Sequence, residues 1–253
     1  MKVFRRTAIL LAAAFGLSAA AQAPAADTDA RLAQTAERAE RSFAFAEWPS
    51  AQALYELLID RRPDRPDYYA RAIVAAELAG DTVAGPDLVE QAMSHGLPFA
   101  PLLADIRATS YSVGAGDGYG GFLLRLQSQL PWLARPLDNE LLAYYTSRSD
   151  GPMMVRYART MLDGLPDSVD YLALLARGYL LQDDLAAAAD TWQRILALDP
   201  DNVDALIALG NCARLQGRAD DARRYLAAAY RLRPTPYLAR LLQENRECIM
   251  RNA

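Results

Sequence analysis

The sequence predicts an all-α solenoid of about six helix pairs closed by a C-terminal capping helix. Three observations predict it. Pro166, Pro200 and Pro234 stand 34 residues apart, and Pro63, Pro98 and Pro131 carry nearly the same beat back along the chain. Within the clearest periods, apolar residues recur at helical spacing in two runs separated by a short polar break. Small residues (Ala188, Gly210, Ala222) fall where two such helices would touch. A fixed period of this length marks repeated helix pairs, and no single pair can bury both of its faces without a neighbour.

Residues 1–25 stand apart from the array. Lys2, Arg5 and Arg6 give a basic start, residues 7–20 are apolar and uncharged, and small residues follow to Ala26. This is the layout of a secretory signal peptide. A cut after Ala21 or Ala25 avoids placing Pro24 directly behind the scissile bond. The apolar stretch is too short to span a bilayer, and no later segment is long and apolar enough, so the expected mature chain is exported, periplasmic or secreted, with no transmembrane segment.

Residues 32–134 read as degenerate repeats. Before Pro63 the repeat offsets hold Ala39, Ala51, Tyr55 and Leu58, and Pro49, Pro86 and Pro152 each stand where a second helix should open, positions that suit proline. Ser110 to Gly121 carries glycines at 114, 116, 118, 120 and 121, a density that predicts a broken helix and a loop over Gly114–Gly121. Gly116, Gly118 and Gly121 satisfy a G-x-G-x-x-G template. No βαβ unit surrounds them, so a nucleotide cradle is not supported, although a loop there could still touch a ligand.

Residues 135–236 are the regular part. Leu141, Leu142, Tyr145, Met154, Ala158 and Met161 precede Pro166; Leu172, Leu175, Ala176, Tyr179, Ala188, Trp192, Ile195 and Leu196 precede Pro200; Leu206, Leu209, Gly210, Ala213, Ala222, Leu226, Ala229 and Tyr230 precede Pro234. Polar breaks at Gln182–Leu185 and Gln216–Ala219 separate the two helices of each pair, with Gly217 suited to a helix end at positive φ. Trp192, Tyr179 and Tyr230 are expected to fill the space around the small residues. Asp183 and Asp184 read as turn or capping residues. Residues 237–253 form the cap and tail, with an apolar stripe including Leu238 and Leu241 opposite Glu244, Arg246 and Glu247. If that stripe stayed exposed, a second copy could stack on it as a homodimer.

The run Thr-Trp-Gln-Arg-Ile-Leu-Ala-Leu-Asp-Pro-Asp-Asn ending at Asn202, and Leu-Gly-Asn-Cys-Ala followed by Gly217, Ala222 and Pro234, resemble the tetratricopeptide repeat (TPR) family, here in the form of exported bacterial members. The resemblance covers most of residues 32–252 and is specific after about residue 138. It implies a right-handed α-α superhelix whose first helices line a concave face that holds a peptide or a partner helix. The matching positions are Asp170, Ala173, Arg177, Leu180 and Leu181, then Asp204, Ile207, Asn211, Arg214 and Leu215. The family variant that grips acidic chaperone tails needs a ring of lysines and asparagines, and Asn211 alone does not make one. Arg177 and Arg214 either pair with a carboxylate or carbonyl of a bound segment or form a solvated salt-bridged face with Asp170 and Asp204.

Composition narrows the function classes. Removing residues 1–25 leaves 24 basic against 31 acidic residues, a net charge of about −7 that disfavours nucleic acid as a partner. Cys212 and Cys248 are the only cysteines: too few for a disulfide-built domain, they either staple the last helix to the array or stay as two buried thiols. His95, the sole histidine, sits beside Gly96 at a predicted helix end. Serines lack a nucleophile elbow, and Asp199, Asp201 and Asp204 fall in a turn already explained by the repeat, so no catalytic, metal or cofactor constellation assembles. The expectation is a non-catalytic adaptor for another protein or peptide. The rival is a small-ligand receptor or enzyme with a site near His95 and the Gly114–Gly121 segment.

Overall fold

The computed structural model describes residues 29–252, with side chains described through Arg246. The signal-peptide expectation lies outside the described residues. Thirteen α-helices and one short 3₁₀ turn, with no strand, make up the described chain. They are α1 (29–44), α2 (Trp48–Arg61), α3 (Pro66–Ala79), α4 (Ala84–Ser94), α5 (Phe99–Ser112), α6 (Gly116–Gln129), α7 (Ala134–Ser147), α8 (Gly151–Gly164), α9 (Val169–Leu181), α10 (Leu185–Leu198), α11 (Val203–Leu215), α12 (Ala219–Leu232) and α13 (Pro236–Asn252). This is the expected array of six pairs plus a cap. It divides into two compact units, Met1–Pro131 and Trp132–Ala253.

Between the two helices of every pair, one residue adopts positive φ: Ala46 (59°), Gly80 (84°), Gly114 (75°), Ser149 (54°), Asp183 (60°) and Gly217 (73°). These positions follow one another at 34 residues with a single step of 35. The left-handed residue ends the first helix and turns the chain back within a few residues. Immediately after it, Asp150 and Asp184 cap the second helices, accepting from Met153 N at 3.1 Å and Ala187 N at 3.0 Å. Ser168 and Asn202 cap α9 and α11 in the same way. Helices α2 to α6 have no side-chain cap; α2 and α3 place proline in their first turn, where the missing N–H costs no intrahelical bond.

Packing in the second unit depends on small residues. A Cβ on Gly210 would lie 2.7 Å from Leu226 Cγ, and one on Gly151 would lie 2.9 Å from the Gly178 carbonyl oxygen. Ala176, Ala188 and Ala222 are fully buried beside them. The cap α13 spends its apolar stripe on its own chain: Leu238 and Leu241 pack with Leu206, Leu226 and Ala229, so the stripe expected to admit a second copy is covered. Tyr230, expected to fill the interior, is instead 38% exposed.

The glycine-rich segment corrects the sequence reading. Only Val113–Ala115 form the turn, and residues 116–121 are the first turns of α6 rather than a loop. Burial of Tyr119, Phe122, Leu123 and Leu126 outweighs a propensity penalty of about 1 kcal/mol per glycine. A Cβ on Gly116 would fall 2.8 Å from the ring of the exposed Tyr111, so a larger residue there would have to displace that ring.

A Cβ added at Gly217 meets no atom within 4 Å, so Gly217→Ala tests backbone strain alone. It should lower unfolding stability by about 1 kcal/mol. Ala46→Gly should act in the opposite direction, by about 0.5 kcal/mol. Urea denaturation of both variants checks the pair of signs.

Candidate functional site

In the second unit, α9, α10 and α11 border a shallow apolar depression with a volume of about 310 Å³. Ile207, Ala208, Asn211 and Leu215 stand at helical spacing on one face of α11, and Leu180 and Trp192 close the side. Leu215 is 60% exposed and Leu181, its counterpart one repeat earlier, is 50% exposed. Asp204 borders the depression, and its carboxylate accepts from Arg233 at 2.7 Å. Trp192 is 7% exposed, with its Nε1 buried and lacking a hydrogen-bond partner.

Of the groove residues expected from sequence, Asp204 and Asn211 line this depression, as do Leu180, Ile207 and Leu215. Asp170, Arg177, Leu181 and Arg214 do not line it. Arg177 lies one helical turn before Leu180 and Leu181, and Arg214 one turn after Asn211; both arginines are exposed. Among the described residues neither makes an ion pair, so the alternative in which Asp170 and Asp204 neutralise them is not realised. Asp204 is taken by Arg233 because α12 returns its C-terminal end to the start of α11. Trp192 and Ala208 were not singled out as groove residues. The tryptophan was conspicuous in sequence, yet its burial pattern assigned it wholly to the helix interface.

Cys212 lies at the edge of the depression, is 1% exposed, and has its thiol pKa raised by burial. The choice between a staple to Cys248 and two buried thiols falls on a side chain outside the described residues.

His95 and the glycine-rich segment do not share a site. His95 is the C-cap of α4, with Gly96 at φ 83° behind it. Its Nδ1 lies 3.1 Å from Tyr69 Oη and 2.9 Å from the Gln91 carbonyl oxygen, contacts that tie the end of α4 to α3. Ala115, Gly118 and Tyr119 border a separate cleft in the first unit with Glu77, which His95 does not line. There the carboxylate of Glu77 is paired with Arg125, while its second oxygen and Arg125 Nε are buried without a hydrogen-bond partner. Burial pushes the Glu77 carboxyl pKa up, and Arg125 opposes the shift. Among the described residues no group of three His, Cys, Asp or Glu side chains could hold a metal ion, and no helix is long and apolar enough to cross a membrane.

Burial also predicts reactivity. In a Cys248→Ser variant, Cys212 should resist a disulfide reagent in the native state and react at a rate that follows unfolding. Rapid modification without denaturant would contradict the packing around α11.

Comparison with known proteins agrees with the repeat architecture. Residues 179–244 match the tetratricopeptide repeat family model. Over 45 residues the chain is 49% identical to cellulose synthase operon protein C of Xanthomonas axonopodis pv. citri (strain 306), a stretch that covers 18% of this chain and 3% of that protein. Over 74 residues it is 35% identical to cellulose synthase operon protein C of Pseudomonas fluorescens (strain SBW25), covering 28% and 6%. A chain in the structure of Naa15/Naa10 bound to HypK-THB superposes with a TM-score of 0.52 at 14% identity, covering 87% of this chain and 34% of that one, a likeness of fold alone. The chain carries tetratricopeptide repeats, matched to the family over residues 179–244.

Proposed function

We propose that this protein is a non-catalytic adaptor of the cell envelope that binds a segment of another protein along α9 and α11. The occupant we assign is an apolar peptide segment that also carries acidic side chains. The observation that carries this reading is the juxtaposition of the apolar depression with Arg177 and Arg214, two exposed cations without an ion-pair partner among the described residues. Leu215, 60% exposed, lies in the depression, and Leu181, 50% exposed, holds the equivalent position one repeat earlier. An acidic residue flanking apolar ones would meet an arginine at a charge-assisted contact while its neighbours cover the leucines. The chain's acidic overall balance disfavours nonspecific capture of anions.

Export is part of the proposal. It rests on the basic start, apolar run and small residues of residues 1–25. The short matches to proteins named for a cellulose synthase operon are compatible with an envelope setting. A reporter enzyme active only outside the cytoplasm, fused behind residues 1–30, should be active in a bacterial host, and inactivity would remove the envelope assignment.

Peptide-display selection on the full chain tests the groove. Selected peptides should combine apolar and acidic residues. Arg177→Ala with Arg214→Ala should weaken them about tenfold, the scale of one to two partly solvated charge-assisted contacts. Leu181→Asp with Leu215→Asp should abolish binding. Peptides without acidic residues, or binding that survives both double variants at unchanged helicity, would overturn the assignment.

A further inference from the structure

The first unit contains a site that the adaptor reading does not use. In the first, fifth and sixth pairs, the two helices meet through small residues placed 24 and 12 positions before the repeat proline: Ala39 with Ala51, Ala176 with Ala188, and Gly210 with Ala222, whereas the fourth pair buries Leu142 and Met154 there. The alanines are fully buried, and a Cβ on Gly210 would already collide with Leu226. In the third pair the same two positions hold Arg107 and Tyr119. Neither can sit in a contact made for alanine and glycine. Arg107 is exposed, Tyr119 is 3% exposed and inserted as a wedge, and α5 and α6 approach each other far less extensively than α9 and α10 or α11 and α12. The wedge leaves a cleft of about 130 Å³ between α3, α5 and α6, walled by Ile73, Val74, Leu78, Ile106, Tyr119 and Phe122.

The chemistry of this cleft selects its occupant. Its polar side chains are Glu77, Ser110 and the Tyr119 hydroxyl; the Ser110 hydroxyl donates to the Ile106 carbonyl at 2.8 Å, and one oxygen of Glu77 is paired with Arg125 while the other is buried without a hydrogen-bond partner. A water molecule needs two to four polar partners, and this wall provides few. A charged ligand would find no uncompensated counter-charge and would lose its hydration. The volume is close to that of apolar cavities of about 150 Å³ that stay dry and accept a single benzene-sized molecule. Tyr119 and Phe122, with ring centroids 6.2 Å apart, offer aromatic surface to a ring. From the wedge, the volume and the wall chemistry together, we infer that the cleft between α3, α5 and the glycine-rich start of α6 is a binding site for one small, uncharged, ring-sized apolar molecule.

The site is independent of the peptide groove, because every residue that lines it belongs to the first unit. It also relocates the small-ligand alternative: the glycine-rich segment takes part, through Ala115 and Gly118, and His95 does not.

Methyl NMR of the full chain, titrated with toluene, phenol or cyclohexanol, tests the inference. The methyl groups of Ile73 and Ile106 should shift saturably, while those of Ile59 and Ile195, buried away from the cleft, should not move. Benzoate and benzylammonium should bind at least about tenfold more weakly, because each must bury an unpaired charge. Ser110→Leu places a side chain in the cleft and should weaken the neutral probes about tenfold or more. The inference is overturned if the neutral probes leave Ile73 and Ile106 unmoved up to their solubility. Equal shifts at Ile59 and Ile195, or charged analogues binding as well as neutral ones, would also overturn it. So would a folded Ser110→Leu chain that binds the neutral probes unchanged. If that variant does not fold, the titration of the unaltered chain decides the matter.

Discussion

Reversal of the chain inside each helix pair depends on one residue held at positive φ. Six positions from Ala46 to Gly217 meet that demand at almost constant spacing, although only Gly80, Gly114 and Gly217 are the residue type that meets it without a Cβ penalty. Where alanine, serine or aspartate takes the place of glycine, the strain is of the order of 1 kcal/mol and must be offset by packing of the two helices that the turn joins. Much else in a repeat is phased from this point. Asp150 and Asp184 cap the helix that follows because they stand one residue beyond the left-handed position, and the proline after the second helix falls 17 or 18 residues beyond that same position.

The second constraint is how closely the paired helices approach. Alanine and glycine at the contact give the tight pairs, and the large side chains Trp192 and Leu226 then close around them. Leu142 and Met154 replace the small residues in the fourth pair and Arg107 and Tyr119 in the third, and it is the third, with an exposed arginine at one of the two positions, that borders the cleft. The depression on α11 has a different origin. It is bordered by α9, α10 and α11, where the half-buried Ile207 and Asn211 and the exposed Leu215 share one face of α11. One unit therefore presents an internal gap and the other an external strip, although both are made from the same repeat.

The pair count and the cap were legible because they depend on periodic features: prolines at 34-residue intervals and apolar positions that recur in register. The glycine-rich segment was misread because propensity acts residue by residue, whereas Tyr119, Phe122, Leu123 and Leu126 act together, and together they outweigh it. The Arg233–Asp204 pair spans 29 residues and depends on where α12 ends, which local spacing does not state. The wedge, by contrast, was present in the sequence. Comparing the residue 12 positions before each proline would have shown tyrosine at 119 where alanine stands before Pro63, Pro200 and Pro234.

Unsatisfied polar atoms connect these packing arguments to function. Burying a donor or acceptor without a partner costs about 1 to 3 kcal/mol, and a sequence optimised only for stability would remove such atoms. Glu77 Oε1 belongs to a residue that lines the cleft, Arg125 Nε to the ion-pair partner of that residue, and Trp192 Nε1 to a residue that borders the depression on α11. An apolar isostere at any of the three would be the simpler way to fill the same space. Tyr55 Oη, Thr146 Oγ1 and Asn245 Oδ1 are buried without a partner away from both concave surfaces, so the array tolerates such local losses in regular and irregular pairs alike. Repeats with nearly identical backbones need not share a ligand: the backbone phase is set by the left-handed turn, and the side chains at the helix contacts are free to differ from one pair to the next.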